Sequence, residues 1–109
     1  MISRTHAWNP PTDVYETEDE LVVRVEVAGM NEEDFSVELN NRLLVISGFR
    51  QEAAERRAYH QMEIHFGEFK ILYELPASIE VDRVEAVYGD GFLRVILPKV
   101  PPRQIPVKE

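Results

Sequence analysis

The stretch that decides the fold is residues 84–97, "VEAVYGDGFLRVIL", near the end of the printed sequence. Two runs with alternating apolar residues, 84–88 and 92–97, flank the triplet Gly89-Asp90-Gly91. Period-two alternation is typical of half-buried strands, and glycine and aspartate tolerate the unusual φ angles of a tight turn. This stretch therefore predicts a β-hairpin.

The same alternation recurs along the chain. We predict that one set of four aliphatic residues faces a core: Leu21, Val23, Val25 and Val27. Residues 35–39 repeat the pattern before Asn40-Asn41, which suits a tight turn, and residues 42–47 return as a second strand. Residues 68–75 alternate until a proline ends the run, and residues 13–16 form a short opening strand. Six or more short strands predict an all-β fold, an antiparallel immunoglobulin-like β-sandwich.

Two short segments interrupt the strand pattern. Residues 31–34 are predicted to form one helical turn, with Asn31 as its cap and acidic residues at its positive end. Residues 50–58, "RQEAAERRA", contain strong helix formers but only alanines as apolar residues, so nothing would anchor a helix to a core. A local helix is one interpretation of this segment. A long charged loop with a function is the other.

Composition limits the classes of protein. The 109 residues, 44% of them hydrophobic, fit one globular domain, and no cysteine is available for disulfides, thiolate metal sites or nucleophiles. The net charge is −8, and residues 13–38 carry ten acidic residues against Arg24. Phosphate backbones would be repelled there, so no nucleic-acid partner is expected. The longest aliphatic run, residues 43–46, is too short for a membrane span, and no signal segment opens the chain. Because the absence of cysteine is compatible with a reducing compartment, we expect a cytoplasmic protein.

The sequence offers little for catalysis. It contains no Gly-x-Ser-x-Gly elbow, no phosphate loop and no dinucleotide fingerprint, so we expect neither an enzyme nor a cofactor. The sharpest metal candidate is His60-x-x-Glu63-x-His65, because Glu63 and His65 would share a face of a strand. Exposed polar residues on a strand edge explain the same letters, and we favour that interpretation.

Several landmarks together resemble a known family. The segment "AVYGDGFL", residues 86–93, followed by Val95 and Pro98-Lys99, is similar to the signature of the α-crystallin domain of small heat-shock proteins. The other landmarks occur in the family's order: Trp8 and Pro10, then "DVYE", "ELVVRVEVAGM", "LLVISGFR" and "GEFKILYELP". The resemblance covers residues 8–99 and is closest to bacterial-type members. It implies a seven-to-nine-stranded sandwich and an ATP-independent holdase, which binds non-native client proteins and keeps them from aggregating.

The resemblance also implies a docking motif in the tail. Ile105, Pro106 and Val107 fit the family's I-x-(I/V) motif, which docks into a groove at the edge of a neighbouring subunit. By position, that groove would be lined by Val37, Leu39 and Val87. Ile105 and Val107 would project from the same side of an extended backbone, and Pro106 suits an edge position because it lacks an N–H. A disordered tail with two incidental aliphatic residues is the alternative.

A second implication concerns the long loop. In bacterial-type and plant members this loop carries a strand that exchanges with the first strand of the partner and forms the homodimer. Here that strand would be Arg57, Ala58, Tyr59, His60, Gln61 and Met62, and it would pair with Asp13, Val14, Tyr15 and Glu16. Arg56 and Arg57 would bring positive charge to the acidic first strand.

The implied organisation is a short N-terminal arm at residues 1–10, the domain at 11–99 and a C-terminal extension at 100–109. Three features depart from the family: Ala28 replaces a proline, Lys70 replaces an arginine, and the arm before Trp8 is short. A lysine cannot form the fork-shaped pairing of an arginine. An interaction module like the co-chaperone CS domains is the alternative function, and an enzyme with a sandwich fold comes third.

Overall fold

A computed structural model describes residues 8–109, and seven β-strands account for most of its regular structure. The strands are β1 Thr12–Glu16, β2 Glu20–Glu26, β3 Phe35–Asn40, β4 Leu43–Arg50, β5 Gly67–Glu74, β6 Glu85–Gly89 and β7 Phe92–Pro98. Two single-turn 3-10 helices, Glu32–Asp34 and Val81–Arg83, join strands. Residues 1–7, which include most of the expected N-terminal arm, lie outside the described residues.

The strands form two antiparallel sheets. One sheet has the order β1-β2-β7-β6, and the other has the order β3-β4-β5. This arrangement confirms the predicted all-β antiparallel sandwich. It also leaves four edge strands, β1 and β6 in the first sheet and β3 and β5 in the second, and an edge strand can pair with another chain.

The core lies between the sheets and follows the alternation of the strands. The predicted inward set is confirmed, since Leu21, Val23, Val25 and Val27 are all buried. The second sheet contributes the buried side chains of Leu44, Ile46, Phe69 and Ile71. Val22 is buried as well, although it lies on the outer face of the sheet, between the residues of the inward set. Its neighbours on the adjacent strands, Tyr15 and Ile96, cover it there.

Both predicted hairpins are present. Asp90 and Gly91 adopt positive φ values of 53° and 82° between β6 and β7, which matches the right-handed twist of the flanking strands. Asn41 has a φ of 58° in the turn between β3 and β4. Turn chemistry and strand alternation therefore agree in both places.

The two interrupting segments have different outcomes. The turn at residues 31–34 is confirmed as the 3-10 helix Glu32–Asp34, and the Asn31 N–H donates to a carboxylate oxygen of Asp34 at 2.9 Å. The local helix at residues 50–58 is wrong: β4 continues to Arg50, and residues 51–66 have no regular secondary structure. Helix propensity alone does not offset the free-energy cost of helix nucleation when no apolar face packs on the core. In the described part of the chain, no helix has the length and apolarity to cross a membrane.

Candidate functional site: an edge groove and an exposed tail

A groove opens between β3 and β6, the edge strands of the two different sheets. Its volume is about 280 Å³, and six of its seven lining residues are aliphatic or aromatic: Phe35, Val37, Ala86, Val87, Tyr88 and Leu93, with Glu32 as the seventh. The groove exists because β3 and β6 are not hydrogen-bonded to each other, so the two sheets part along this side. An extended segment with small aliphatic side chains suits such a site.

One end of the groove is held in place by Tyr88. Its ring packs on Phe35 with 4.9 Å between the ring centroids, which joins the two sheets across the groove. Its hydroxyl donates to the carbonyl oxygen of Val27 at 2.8 Å and accepts from the N–H of Met30 at 3.4 Å. The end of β6 is therefore tied to the connection between β2 and β3.

The three predicted groove residues take different positions from one another in the structure. Val37 and Val87 both line the groove, while Leu39 lies on the same strand as Val37, half-buried against the core and outside this lining. Val87 lies opposite Arg94, on the outer face of its sheet, so it borders the groove from the rim. Leu39 and Val87 therefore contribute less to the groove floor than Val37.

Sequence reasoning missed part of the lining. Ala86 and Tyr88 lie opposite Val95 and Leu93, which places them on the inner face of β6. Phe35 takes the same inner position on β3, opposite Gly48. The alternation within the hairpin of residues 84–97 contained this information, because buried Val95 and Leu93 identify the inward positions of their partner strand.

The tail is exposed, and its base is fixed. Ile105 and Val107 are 78% and 95% exposed, so neither occupies the groove of its own chain. The N–H groups of Lys99 and Val100 donate to the carbonyl oxygens of Asp19 and Ser78 at 2.9 and 3.0 Å. Lys99 Nζ also donates to a carboxylate oxygen of Glu16 at 2.8 Å. The chain thus leaves the domain at a defined point, after Val100.

The predicted exchange strand forms no strand within the single chain. Residues 57–62 are exposed, and their side-chain contacts are local, such as the hydrogen bond from the Tyr59 hydroxyl to Glu52 at 3.1 Å. Their predicted partner strand, β1, pairs with β2 alone, so its outer edge has no partner in the described chain.

Both carboxylates of β1 already contact basic side chains of the same chain. Asp13 accepts a hydrogen bond from Arg24 at 2.8 Å, and this bond raises the pKa of the Arg24 guanidinium. Glu16 accepts a hydrogen bond from Lys99 Nζ at 2.8 Å. Because both carboxylates have partners, the attraction they offer to Arg56 or Arg57 of another chain is reduced.

Arg50 and Trp8 connect the two ends of the loop at residues 51–66. The Arg50 guanidinium donates to the carbonyl oxygens of His65 and Ala28, the latter at 3.2 Å, and lies 4.2 Å from the Trp8 ring centroid. Trp8 Nε1 donates to the carbonyl oxygen of Gly67 at 3.1 Å. The guanidinium of Arg50, at the end of β4, thus binds two carbonyl oxygens as a fork. Lys70, where the resemblance leads us to expect an arginine, has no such forked group.

The metal candidate lacks its expected geometry. No strand forms at residues 60–65, and the His65 ring stacks on Trp8 with 5.8 Å between centroids. The Glu63 carboxylate accepts a hydrogen bond from Gln61. Among residues 8–109, no group of three or more histidine, aspartate or glutamate side chains is arranged to hold a metal ion.

Comparison with known proteins identifies the family. A sequence model described as "Hsp20/alpha crystallin family" matches residues 13–109. The chain belongs to this family. The Hsp20/alpha crystallin assignment agrees with the resemblance of residues 8–99 and does not favour the co-chaperone-like module.

Curated relatives support the assignment. Small heat shock protein C2 of Rickettsia felis is 34% identical over 92 residues, which cover 83% of this chain and 60% of that protein. Heat shock protein 16 of Schizosaccharomyces pombe is 36% identical over 96 residues, which cover 84% of this chain and 67% of that protein. The chain thus spans less than two thirds of the length of the Rickettsia protein.

Solved Hsp20-type structures share the fold. HspA of Xanthomonas axonopodis has a TM-score of 0.80 at 26% identity, with 88% of this chain and 98% of that chain covered. Heat shock protein 16.0 of Schizosaccharomyces pombe has a TM-score of 0.74 at 32% identity, with coverage of 93% and 99%.

Proposed function

We propose that this protein is an ATP-independent molecular chaperone, a holdase that binds unfolding proteins and prevents their aggregation. The observation that carries the proposal is an open groove, lined mainly by aliphatic and aromatic residues, between two edge strands in a member of the Hsp20/alpha crystallin family. Unfolding proteins present extended segments with apolar side chains, and edge grooves accept such segments. The sequence contains no phosphate loop, which supports binding without nucleotide-driven release.

The working form in this proposal is a dimer-based oligomer. Residues 57–62 of one chain would pair with residues 13–16 of a second chain, along the outer edge of β1. Two features support the pairing: this edge has no partner within the described chain, and the loop exposes Tyr59 and Met62. The organisation would be an arm at residues 1–10, the domain at 11–99 and an extension at 100–109.

The tail would connect dimers. Ile105 and Val107 of one chain would enter the groove of another, beside Val37 and Val87. Their burial contributes at most about 1.5 to 3 kcal/mol each before the costs of association, so a single tail binds weakly. Several tails in one assembly would bind with avidity while each contact stays reversible. The proposed location is the cytoplasm, since a chain without cysteine has no need of an oxidising compartment.

The test is light scattering by a heat-labile client protein without ATP. We expect the full chain to suppress the scattering at stoichiometric amounts, and scattering undiminished in molar excess contradicts the holdase. Native mass spectrometry of the same sample tests assembly: dimers and larger species are expected, and a monomer contradicts the oligomer. The variant with both Ile105→Ala and Val107→Ala should lose the species larger than dimers, whereas Gln104→Ala should keep them.

A further inference from the structure

We propose that the groove accepts the tail of a second copy in one direction, with Arg103 beside Glu32 and Glu109 toward the turn between β3 and β4. The tail would then run parallel to β3. This inference rests on the proposed docking of the tail and adds its polarity, which two charged ends determine.

The tail has a charged residue at each end of its apolar pair. In an extended chain, alternate side chains share a side, so Arg103, Ile105, Val107 and Glu109 face the groove together. Gln104 and Lys108 face away from it. The groove-facing side of the tail is therefore positive at its first residue and negative at its last.

The two ends of the groove also differ in charge. Glu32 is the one charged residue among those that line it, and the 3-10 helix Glu32–Asp34 places three acidic residues at that end. Asp34 accepts a hydrogen bond from Asn31, whereas the Glu32 side chain is exposed and has no hydrogen bond or ion pair with another described residue. An acidic group next to Phe35 and Val37 is thus available to a cation.

A basic residue lies beyond the other end of the groove. Arg42 comes two residues after Asn40, the last residue of β3, in the β3–β4 turn; it is outside the groove lining, is exposed, and has no ion pair with another described residue. Glu85 begins β6 at the same end, but its pairing with Ile96 directs it to the outer face of the sheet. The groove therefore offers negative charge beside Phe35 and positive charge beyond Leu39.

The lengths of the two partners are similar. β3, Phe35–Asn40, spans five residue steps, and the tail from Arg103 to Glu109 spans six, each about 3.3 Å when extended. The two lengths are about 17 Å and about 20 Å. When Ile105 and Val107 lie in the groove, the charged ends of the tail reach the two ends of β3.

The reverse direction places like charges together. Glu109 would then lie beside Glu32 and Arg103 beside Arg42. Exposed ion pairs contribute little each, so we expect a preference of about fivefold for the proposed direction at low salt. The preference should shrink as salt is added, because screening weakens exposed pairs.

The absence of cysteine from the sequence allows a direct test by cross-linking. Copies of the full chain that carry Glu33→Cys or Asn40→Cys mark the two ends of β3, and copies of a different mass carry Gln104→Cys or Lys108→Cys in the tail. A short bismaleimide linker then joins neighbouring cysteines in mixed assemblies. We expect Gln104→Cys to join Glu33→Cys and Lys108→Cys to join Asn40→Cys; equal or reversed yields overturn the polarity.

Charge variants test the assigned residues. Glu32→Gln should reduce the preference, and Glu32→Arg combined with Arg103→Glu should restore it; an unchanged preference in Glu32→Gln overturns the role of Glu32. Glu38→Gln is the matched control, because Glu38 lies on the outer face of β3, opposite Val45. If tail docking itself is wrong, no tail cysteine reacts with either end of β3, and Ile105→Ala with Val107→Ala changes nothing. Docking in both directions would instead give cross-links from both tail cysteines to both ends of β3.

Discussion

Apolar residues are buried in the strands of the sandwich but exposed in the two segments that extend from it, residues 51–66 and 100–109. Within the strands, Ile46, Phe69 and Leu97 are fully buried between the sheets. In residues 51–66 and 100–109, Ile64 and Val107 are 66% and 95% exposed. Burial stabilises the fold, and exposed apolar groups become available to another molecule. The domain is thus stable through one set of apolar residues and leaves another set available for association.

The largest expected effect lies in the core. Phe69 packs edge-on against Trp8 and Phe35 and lies directly over Gly48. Phe69→Ala should lower the free energy of unfolding by about 3 to 5 kcal/mol, because the cavity cannot close completely. Urea unfolding at equal protein concentration measures the change. Phe49→Ala is the control on the outer face of β4; a loss as large as that of Phe69→Ala contradicts the comparison.

An intermediate effect is expected where the sandwich meets the loop. Arg50→Lys removes the forked donor to His65 and Ala28 while it keeps the charge. The free energy of unfolding should fall by about 1 to 2 kcal/mol. Trp8 is the one tryptophan of the sequence, so its emission should shift to the red as its surroundings loosen. Arg42→Lys, in an exposed turn, should alter neither quantity; an unchanged emission in Arg50→Lys contradicts the assigned contact.

The smallest effect on stability, and a larger one on association, is expected in the loop. Met62→Ser combined with Ile64→Ser should change the free energy of unfolding of the domain by less than about 0.5 kcal/mol, since both residues are exposed. The dimer fraction in native mass spectrometry should nevertheless fall. Ala54→Ser, exposed in the same loop but outside the proposed exchange strand, should leave that fraction unchanged. A large loss of stability with an intact dimer fraction would place these residues in the fold instead.

Local rules accounted for most of the strands. Alternation located Leu21 to Val27, and the residues Asn41, Asp90 and Gly91 located both hairpins, because these signals depend on near neighbours. The pairing of β2 with β7 joins residues about 70 positions apart, and no local signal specifies it. The same limit hid the burial of Val22, which depends on Ile96 of the neighbouring strand.

The groove was predictable in part. Its position followed from the family resemblance, but its floor depends on which residues of β6 face inward, and Val87 faces outward opposite Arg94. The alternative interpretation of residues 50–58 as a local helix was wrong for a related reason. Propensity describes a residue in isolation, whereas the packing of Arg50 on Trp8 and His65 is a property of the assembled domain.

The anchorage of Lys99 would give the tail a mechanical role in the proposed assembly. Its side chain binds Glu16 and the carbonyl oxygen of Thr17, and its backbone N–H binds Asp19, so three contacts fasten it to β1 and the turn that follows. A pull on Ile105 by a neighbouring subunit would travel through Pro101 and Pro102 to this anchor. The load would then reach the first strand before it reaches the core, and a subunit held by its tail would be strained at the edge where the proposed partner strand would attach.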